Sequence, residues 1–336
     1  MKYALIVLLV IIFVYSLLWL TSLRFYPTEF GISFNPNHAR SLDLDWRATY
    51  LAMRDELKPK YIRIAAMWSG VEPEPERFDF ADVDWLMDEA GKFGAKVTLV
   101  VGQKAPRWPE CHVPAWVNEA MSAEEYVHHL RRYLTESVNR YKNHPALELW
   151  QVENEPFIRF RFGDCERYRS ELVRDEIALV RQLDPAHKIM ITDSGELSTW
   201  RRAIRAGDFF GTTVYRVVRT PRGRVVTYDW LPPAFYRWKA RLLGRARDTV
   251  FISELQAEPW FSGSGALETP LSLQAETMNP ERLKDNLDYA RRIGAPRAYL
   301  WGVEWWYWMR EKNGEDGYWE GVREEMGKPV LSQVEG

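Results

Sequence analysis

The chain is poor in the residues on which several function classes depend. It has 2 cysteines in 336 residues, too few for a disulfide scaffold or a four-thiolate zinc site. It has no surplus of either charge: 45 Lys and Arg stand against 47 Asp and Glu, a net of -2. A protein that coats nucleic acid needs a basic excess to neutralise phosphates, so no nucleic-acid partner is expected. No G-x-G-x-x-G follows the first strand-like run and no G-x-x-x-x-G-K-[ST] occurs, which leaves a nucleotide site without its phosphate cradle. No cluster of His or Cys has metal-ligand spacing. No cofactor is called for, and only a calcium site stays open. No low-complexity linker divides the chain.

Aromatic residues, by contrast, are abundant, with 16 Trp and 16 Tyr. In a core they only pack; lining a cleft they offer flat faces to ligands such as sugar rings. The longest apolar run stands near the N-terminus, from Tyr3 to Leu20, without charge or proline. Eighteen such residues reach the lower limit for spanning a bilayer. Tyr15 and Trp19 suit the interfacial aromatic belt, and Lys2 favours a cytoplasmic N-terminus. SLLWLTSLRFYP contains no small-x-small cleavage site, so the segment reads as an uncleaved signal-anchor. A cleaved signal peptide, giving a secreted protein, is the alternative.

Beyond residue 24, β-rich runs alternate with amphipathic stretches. The strands are expected at 29–34, 61–66, 96–102, 147–153, 188–193, 209–215, 249–254 and 297–303. Helices are expected at 80–93, 123–141, 168–183, 198–206, 235–243 and 280–293. Ser122 before Glu124 and Glu125 starts one of them, and Gly94 and Gly294 stop others. Eight such repeats indicate an α/β fold, a single (β/α)8 barrel preceded by an N-terminal transmembrane helix. A doubly wound open sheet is the structural alternative. The expected divisions are an anchor over 1–23, a barrel over 24–322 and a C-terminal tail over 323–336.

Such barrels carry their chemistry at the C-terminal strand ends. The fourth strand ends in Glu153-Asn154-Glu155-Pro156 and the seventh in Ser253-Glu254. Two carboxylates facing each other across the mouth are what glycosidic bond cleavage needs. WQVENEP (150–156), FISELQAEPW (251–260) and YLWGVEWW (299–306), taken in order, resemble the clan of retaining glycoside hydrolases on (β/α)8 barrels. That clan includes the cellulase-like family five, the β-galactosidase-like family forty-two and the β-xylosidase-like family thirty-nine. RIAAMWSGVEPEPERFDFADVDWLMDEAGKFGAKVTLVV extends the likeness over the second and third strand units.

The resemblance implies that Glu155 is the general acid/base and Glu254 the nucleophile. Asn154 would bind a sugar 2-hydroxyl, and Arg63 and Tyr215 would donate to Glu254. Trp301 would form the floor on which the sugar stacks. Glu304, Trp305, Trp306 and Trp308 would extend an acidic, aromatic rim, with Gln103 a further polar contact. Trp68, Trp108, Trp116 and Trp260 follow strands on the mouth side, where packing accounts equally well for part of the set. His38 has no evident partner and reads as structural. Two departures bear on the substrate. Cellulase-like members often carry a His where this chain has Thr213, and another near Gly102-Gln103. The catalytic pair transfers, while the pattern that would name cellulose or mannan does not.

Cys111 and Cys165 fall in the loops after strands three and four, which are neighbours in a barrel. Outside the cytoplasm a disulfide would join these loops beside the acid/base residue; two buried thiols are the alternative. Arg216 to Arg247 holds eight Arg and one Lys against Asp229 alone, a local excess suited to an anionic glycan or anionic headgroups, or to acids elsewhere on the surface. The expected activity is a retaining O-glycoside hydrolase acting on a poly- or oligosaccharide, held in the cell membrane with its catalytic domain extracytoplasmic. A glycan-binding barrel without turnover and a transglycosylase are the alternatives.

Overall fold

The computed structural model describes residues 2–158, 163–261 and 265–328. Eight parallel strands close into a barrel: β1 (Glu29–Ser33), β2 (Tyr61–Ala65), β3 (Lys96–Val101), β4 (Leu147–Val152), β5 (Lys188–Asp193), β6 (Phe209–Val214), β7 (Val250–Gln256) and β8 (Arg297–Trp301). Each pairs with its sequence neighbours, and β1 closes on β8 through Glu29 opposite Arg297 and Ser33 opposite Trp301. The strands are buried over almost their whole length. That explains their runs of consecutive apolar residues instead of a strict alternation.

The principal core lies between the barrel and its jacket of helices. Inside the barrel, near the N-terminal strand ends, Leu149, Met190 and Phe251 form a small separate cluster. Nearer the mouth the interior turns polar, with Arg63, Gln151 and Ser253 all buried. The fold thus provides a dry plug below and a polar platform above.

The jacket helices begin and end for local reasons. Ala123–Tyr141 opens with a capping box in which Ser122 and Glu125 satisfy each other's backbone groups. Pro280–Ile293 is capped by Asn279 and stops at Gly294, whose φ of 83° suits a residue without Cβ. Two helices are shorter than their patterns predict, covering Val173–Leu183 and Ala203–Ala206. In the second, the Ser198 hydroxyl binds Asp193 and accepts from the Trp200 backbone, drawing 198–202 away from helical bonding. Val217–Arg219 pairs antiparallel with Val225–Thr227 in a hairpin on the β6 loop, an element not anticipated there. The last helix, Gly317–Gly327, buries Trp319, Val322 and Glu325 and pairs Glu325 with Arg291. This helix runs across residue 322, where a tail was expected to start; residues 329–336 lie outside the described residues.

Lys2–Thr21 is one helix, apolar on every face, with mean hydropathy 2.8 and none of it buried. By length and composition it is able to cross a membrane, a property that a signal sequence shares.

Candidate active site

The end of β4 is shaped by two residues in the left-handed region, Glu153 at φ 62° and Glu155 at φ 44°, on either side of Asn154. Such backbone is costly for residues with a Cβ and persists only where surroundings hold it. Here the Glu153 carboxylate accepts the backbone N–H groups of Gln103 at 2.7 Å and Lys104 at 2.6 Å, and the Glu155 N–H donates to Thr192 Oγ1 at 2.9 Å. Gly102 permits this approach, since a Cβ there would stand 2.5 Å from Glu153 Oε1. Glu153 thus pins the β3 and β4 ends together, and the turn carries Glu155 to the mouth beside β6.

Arg63 organises the floor. Its Nε donates to Gln151 Oε1 at 2.8 Å, Nη1 to Glu254 Oε1 at 2.9 Å and to the Ser253 carbonyl at 3.2 Å, and Nη2 to Asn154 Oδ1 at 2.9 Å. A guanidinium only donates, so it turns the Asn154 oxygen inward and leaves the amide NH2 facing the mouth. The second Glu254 oxygen accepts the Tyr215 hydroxyl at 2.7 Å. Both oxygens of Glu254 therefore have donors, one of them a buried cation, as an ionised carboxylate requires.

Glu155 sits differently. Among the described residues the donor to its carboxylate is the Thr213 hydroxyl, 3.1 Å from Oε1. Burial, and then the charges of Glu254 and Glu110, push its pKa well above the usual carboxylate range. Two carboxyl groups in one cleft thus differ in environment, one with donors on both oxygens and the other with a hydroxyl on one and negative charges beside it.

Sequence reasoning missed Glu110. It is buried, lies 3.4 Å from Asn154 Nδ2, and is pushed up to about 7, mainly by burial. Its neighbour Cys111 is joined to Cys165, with Cα atoms 5.2 Å apart, so the pairing considered for those loops places a third carboxyl in the mouth. That adjacency was the available signal. Thr213 was noted only as a missing His, yet it contacts Glu155 directly.

The expected sugar floor is covered. The Arg107 guanidinium lies 4.1 Å from the Trp301 ring centroid, bonded to Glu258 and, at 3.2 Å, to Glu304. The cavity bounded by Ser33, Asn35, Arg63, Arg107, Trp301 and Glu304 has a volume of ≈ 10 Å³, space for about one water. Glu304 is wholly buried and accepts the Asn35 N–H at 2.5 Å, so it braces the cavity instead of forming an exposed rim. Trp305 and Trp306 are likewise core residues, as is Trp68. Gln103 also departs from expectation. Its side chain accepts the Tyr126 hydroxyl from helix Ala123–Tyr141, so it faces the jacket and not Glu155 and Glu254. His38 has a partner after all, with Nε2 3.4 Å from Glu258 Oε2. Trp260 stands edge-on to Tyr215 at 5.2 Å, within the mouth. Among the described residues no group of three or more His, Cys, Asp or Glu is arranged to hold a metal ion.

The glycoside hydrolase family 42 model, described as beta-galactosidase, matches residues 33–184, a stretch that includes Glu155 and stops short of Glu254. The chain resembles the (β/α)8 glycoside hydrolases. A beta-galactosidase of Arthrobacter sp is 26% identical over 153 residues, 38% of this chain and 20% of that protein. Beta-galactosidase BgaH of Haloferax lucentense is 25% identical over 178 residues, 46% of this chain and 26% of that protein. The chain thus spans about a quarter or less of the curated relatives it matches. Among solved structures, a GH5_18 protein from Bifidobacterium longum subsp. infantis superposes with a TM-score of 0.61 at 14% identity, over 91% of this chain and 80% of that one. A beta-galactosidase from Halorubrum lacusprofundi gives 0.58 at 15% identity, over 91% and 59%. At these identities the structural likeness establishes the barrel fold.

Proposed function

We propose that the chain is a retaining O-glycoside hydrolase for oligo- or polysaccharides, β-galactosides being the first class to test. The observation that carries this is the unequal treatment of two buried carboxyl groups at the ends of β4 and β7. Glu254 has a cation and a phenol on its two oxygens, while Glu155 has a hydroxyl and two neighbouring negative charges.

In the first step Glu254 attacks the anomeric carbon as the glycosidic C–O bond breaks, and Glu155 gives its proton to the leaving oxygen. In the second, Glu155 takes a proton from water, whose oxygen displaces Glu254 from the anomeric carbon. The Asn154 NH2, held toward the mouth by Arg63, would donate to the sugar 2-oxygen in both transition states. A sugar stacked on Trp301 requires Arg107 to leave that face, so the loop bearing Arg107 has to move on binding.

The test is release of sugar from a panel of aryl glycosides and polysaccharides by the wild-type chain and by Glu254→Ala. Release that vanishes in the variant, with the anomeric configuration of the first product retained by NMR, supports the reading; product of inverted configuration would refute the retaining mechanism. The Arg107 cover favours one second reading, a barrel that binds glycan without cleaving it. Binding unaffected by Glu254→Ala, with no release from any substrate, would select that reading. We further propose that residues 1–23 are a membrane anchor and that the barrel is extracytoplasmic; an intact N-terminus in membrane-extracted protein would support this, and cleavage near residue 23 would refute it.

A further inference from the structure

The end of helix Lys2–Thr21 is fastened to the flank of the barrel, and its bonding partners define its direction. Helix Pro280–Ile293 links β7 to β8, so it begins at the mouth and ends at the base. Asp229 bonds Arg282 near its start at 2.8 Å, and the Leu231 carbonyl accepts from Tyr289 farther along at 2.8 Å. Between these residues the Trp230 carbonyl accepts the Tyr15 hydroxyl at 2.7 Å. Lower down, Arg237 bonds the carbonyls of Arg292 and Ile293 at the base end of that helix, and it also donates to the Thr21 carbonyl at 2.9 Å. The Ser22 hydroxyl accepts the Ala234 N–H at 2.9 Å. Tyr26 then donates its N–H to the Arg291 carbonyl, just before β1.

The chain therefore descends from mouth to base between Tyr15 and Tyr26, and residues 2–14 project beyond Tyr15 on the mouth side. At 1.5 Å per residue that free stretch measures about 20 Å, against the roughly 30 Å of a hydrocarbon core. A stretch shorter than the core draws the bilayer down onto the barrel at Tyr15, by local thinning or by taking in the start of Tyr15–Thr21. A bilayer crossed by this helix consequently reaches down to Trp230, which is 60% exposed, on the mouth side of the molecule. The hairpin on the β6 loop directly precedes Trp230 in the chain. At its tip Arg222 and Arg224 are exposed, with no ion pair among the described residues, and they suit anionic headgroups.

We infer that the barrel turns its mouth toward the bilayer from which its own N-terminal helix emerges, and that its substrate is a glycan borne by a lipid of that bilayer instead of a free polysaccharide. This rests on the glycosidase and anchor readings above. The loop over Trp301 would then be displaced at the headgroup layer, where the sugar is presented.

The full chain, reconstituted in phosphatidylcholine vesicles with 30 mol% phosphatidylglycerol, tests both halves. A fluorophore is placed on Arg222→Cys at the mouth or on Lys188→Cys at the base, the two native cysteines being joined to each other. Headgroup spin-labelled lipid should quench the mouth probe at least threefold more than the base probe. Equal quenching, the reverse order or no quenching of either would overturn the orientation. Release of galactose from lactosylceramide in the same vesicles should exceed release from lactose at equal bulk concentration by tenfold or more. Cleavage of lactose or an aryl galactoside without cleavage of the lipid would overturn the inference and leave the glycosidase reading intact. The expected quenching with no cleavage of any substrate would overturn the glycosidase reading, and the substrate assignment with it, while the orientation stands.

Discussion

Replacing Tyr215 by Phe isolates one contact of the proposed nucleophile. The hydroxyl donates to Glu254 Oε2 at 2.7 Å, and Arg63 holds the other oxygen at 2.9 Å, so the variant strips one carboxylate oxygen of its donor and leaves the ion pair in place. Burial, and then the Glu254 charge, hold the phenol well above its ordinary titration range, so it stays a donor at every pH at which the enzyme would work. Phe keeps the ring that meets Trp260 edge-on. A hydrogen bond to a charged group contributes about 1.5–3 kcal/mol. If it positions the nucleophile in the transition state, kcat/KM should fall by about 10- to 150-fold at one decade per 1.36 kcal/mol. The assay is kcat/KM on an aryl glycoside that the wild type cleaves, beside thermal unfolding of both proteins. A loss under threefold would refute the proposed contact.

Three other expectations follow from the same geometry. As the proposed acid, Glu155 works protonated in the first step, so activity should fall as pH rises through its pKa; Glu110→Gln removes one of the charges that keep it high and should move the alkaline limb to lower pH. Because Glu110 lies at about 7, the two pH profiles should separate only above pH 7. Cys111→Ser opens a loop of 54 residues in sequence, for which chain entropy gives about 4 kcal/mol; urea unfolding should show the loss, and reduced wild type should reproduce it. Against the upward push of burial, Arg107 and then His38 hold Glu258 down at about 2. A depressed carboxylate adds stability that is full above its unfolded pKa of about 4.5 and is lost as pH falls toward 2. Arg107→Ala should therefore cost about 3–5 kcal/mol at pH 7 and flatten the stability profile in that acid window, as measured by denaturant titration at each pH.

Short-range pattern was enough to place every barrel strand and the two glutamates that end β4 and β7, because a buried strand and its helical neighbour announce themselves within a dozen residues. Ser122 and Gly294 set helix ends through bonds to their own neighbours, so they too were legible. The order of β4 and β7 around the ring then fixes which carboxylates can meet, while Arg63 and Tyr215 were named only through the resemblance to the (β/α)8 glycoside hydrolases. Side chains carried on long loops were beyond such reading. Arg107 lies over Trp301, Glu110 enters the mouth, and Gln103 turns to Tyr126 because of partners more than twenty residues distant in the chain. Glu304 seemed a rim residue until the fold set Asn35 and Arg107 against it, and His38 gained its partner only when β1 and β7 loops converged. Sequence alone determined the barrel and the identity of the facing carboxyl groups, since both follow from local period and strand order. Only the tertiary structure decided which donors and charges surround each of those groups and what covers Trp301, because burial and charge proximity are properties of packed elements and not of the chain.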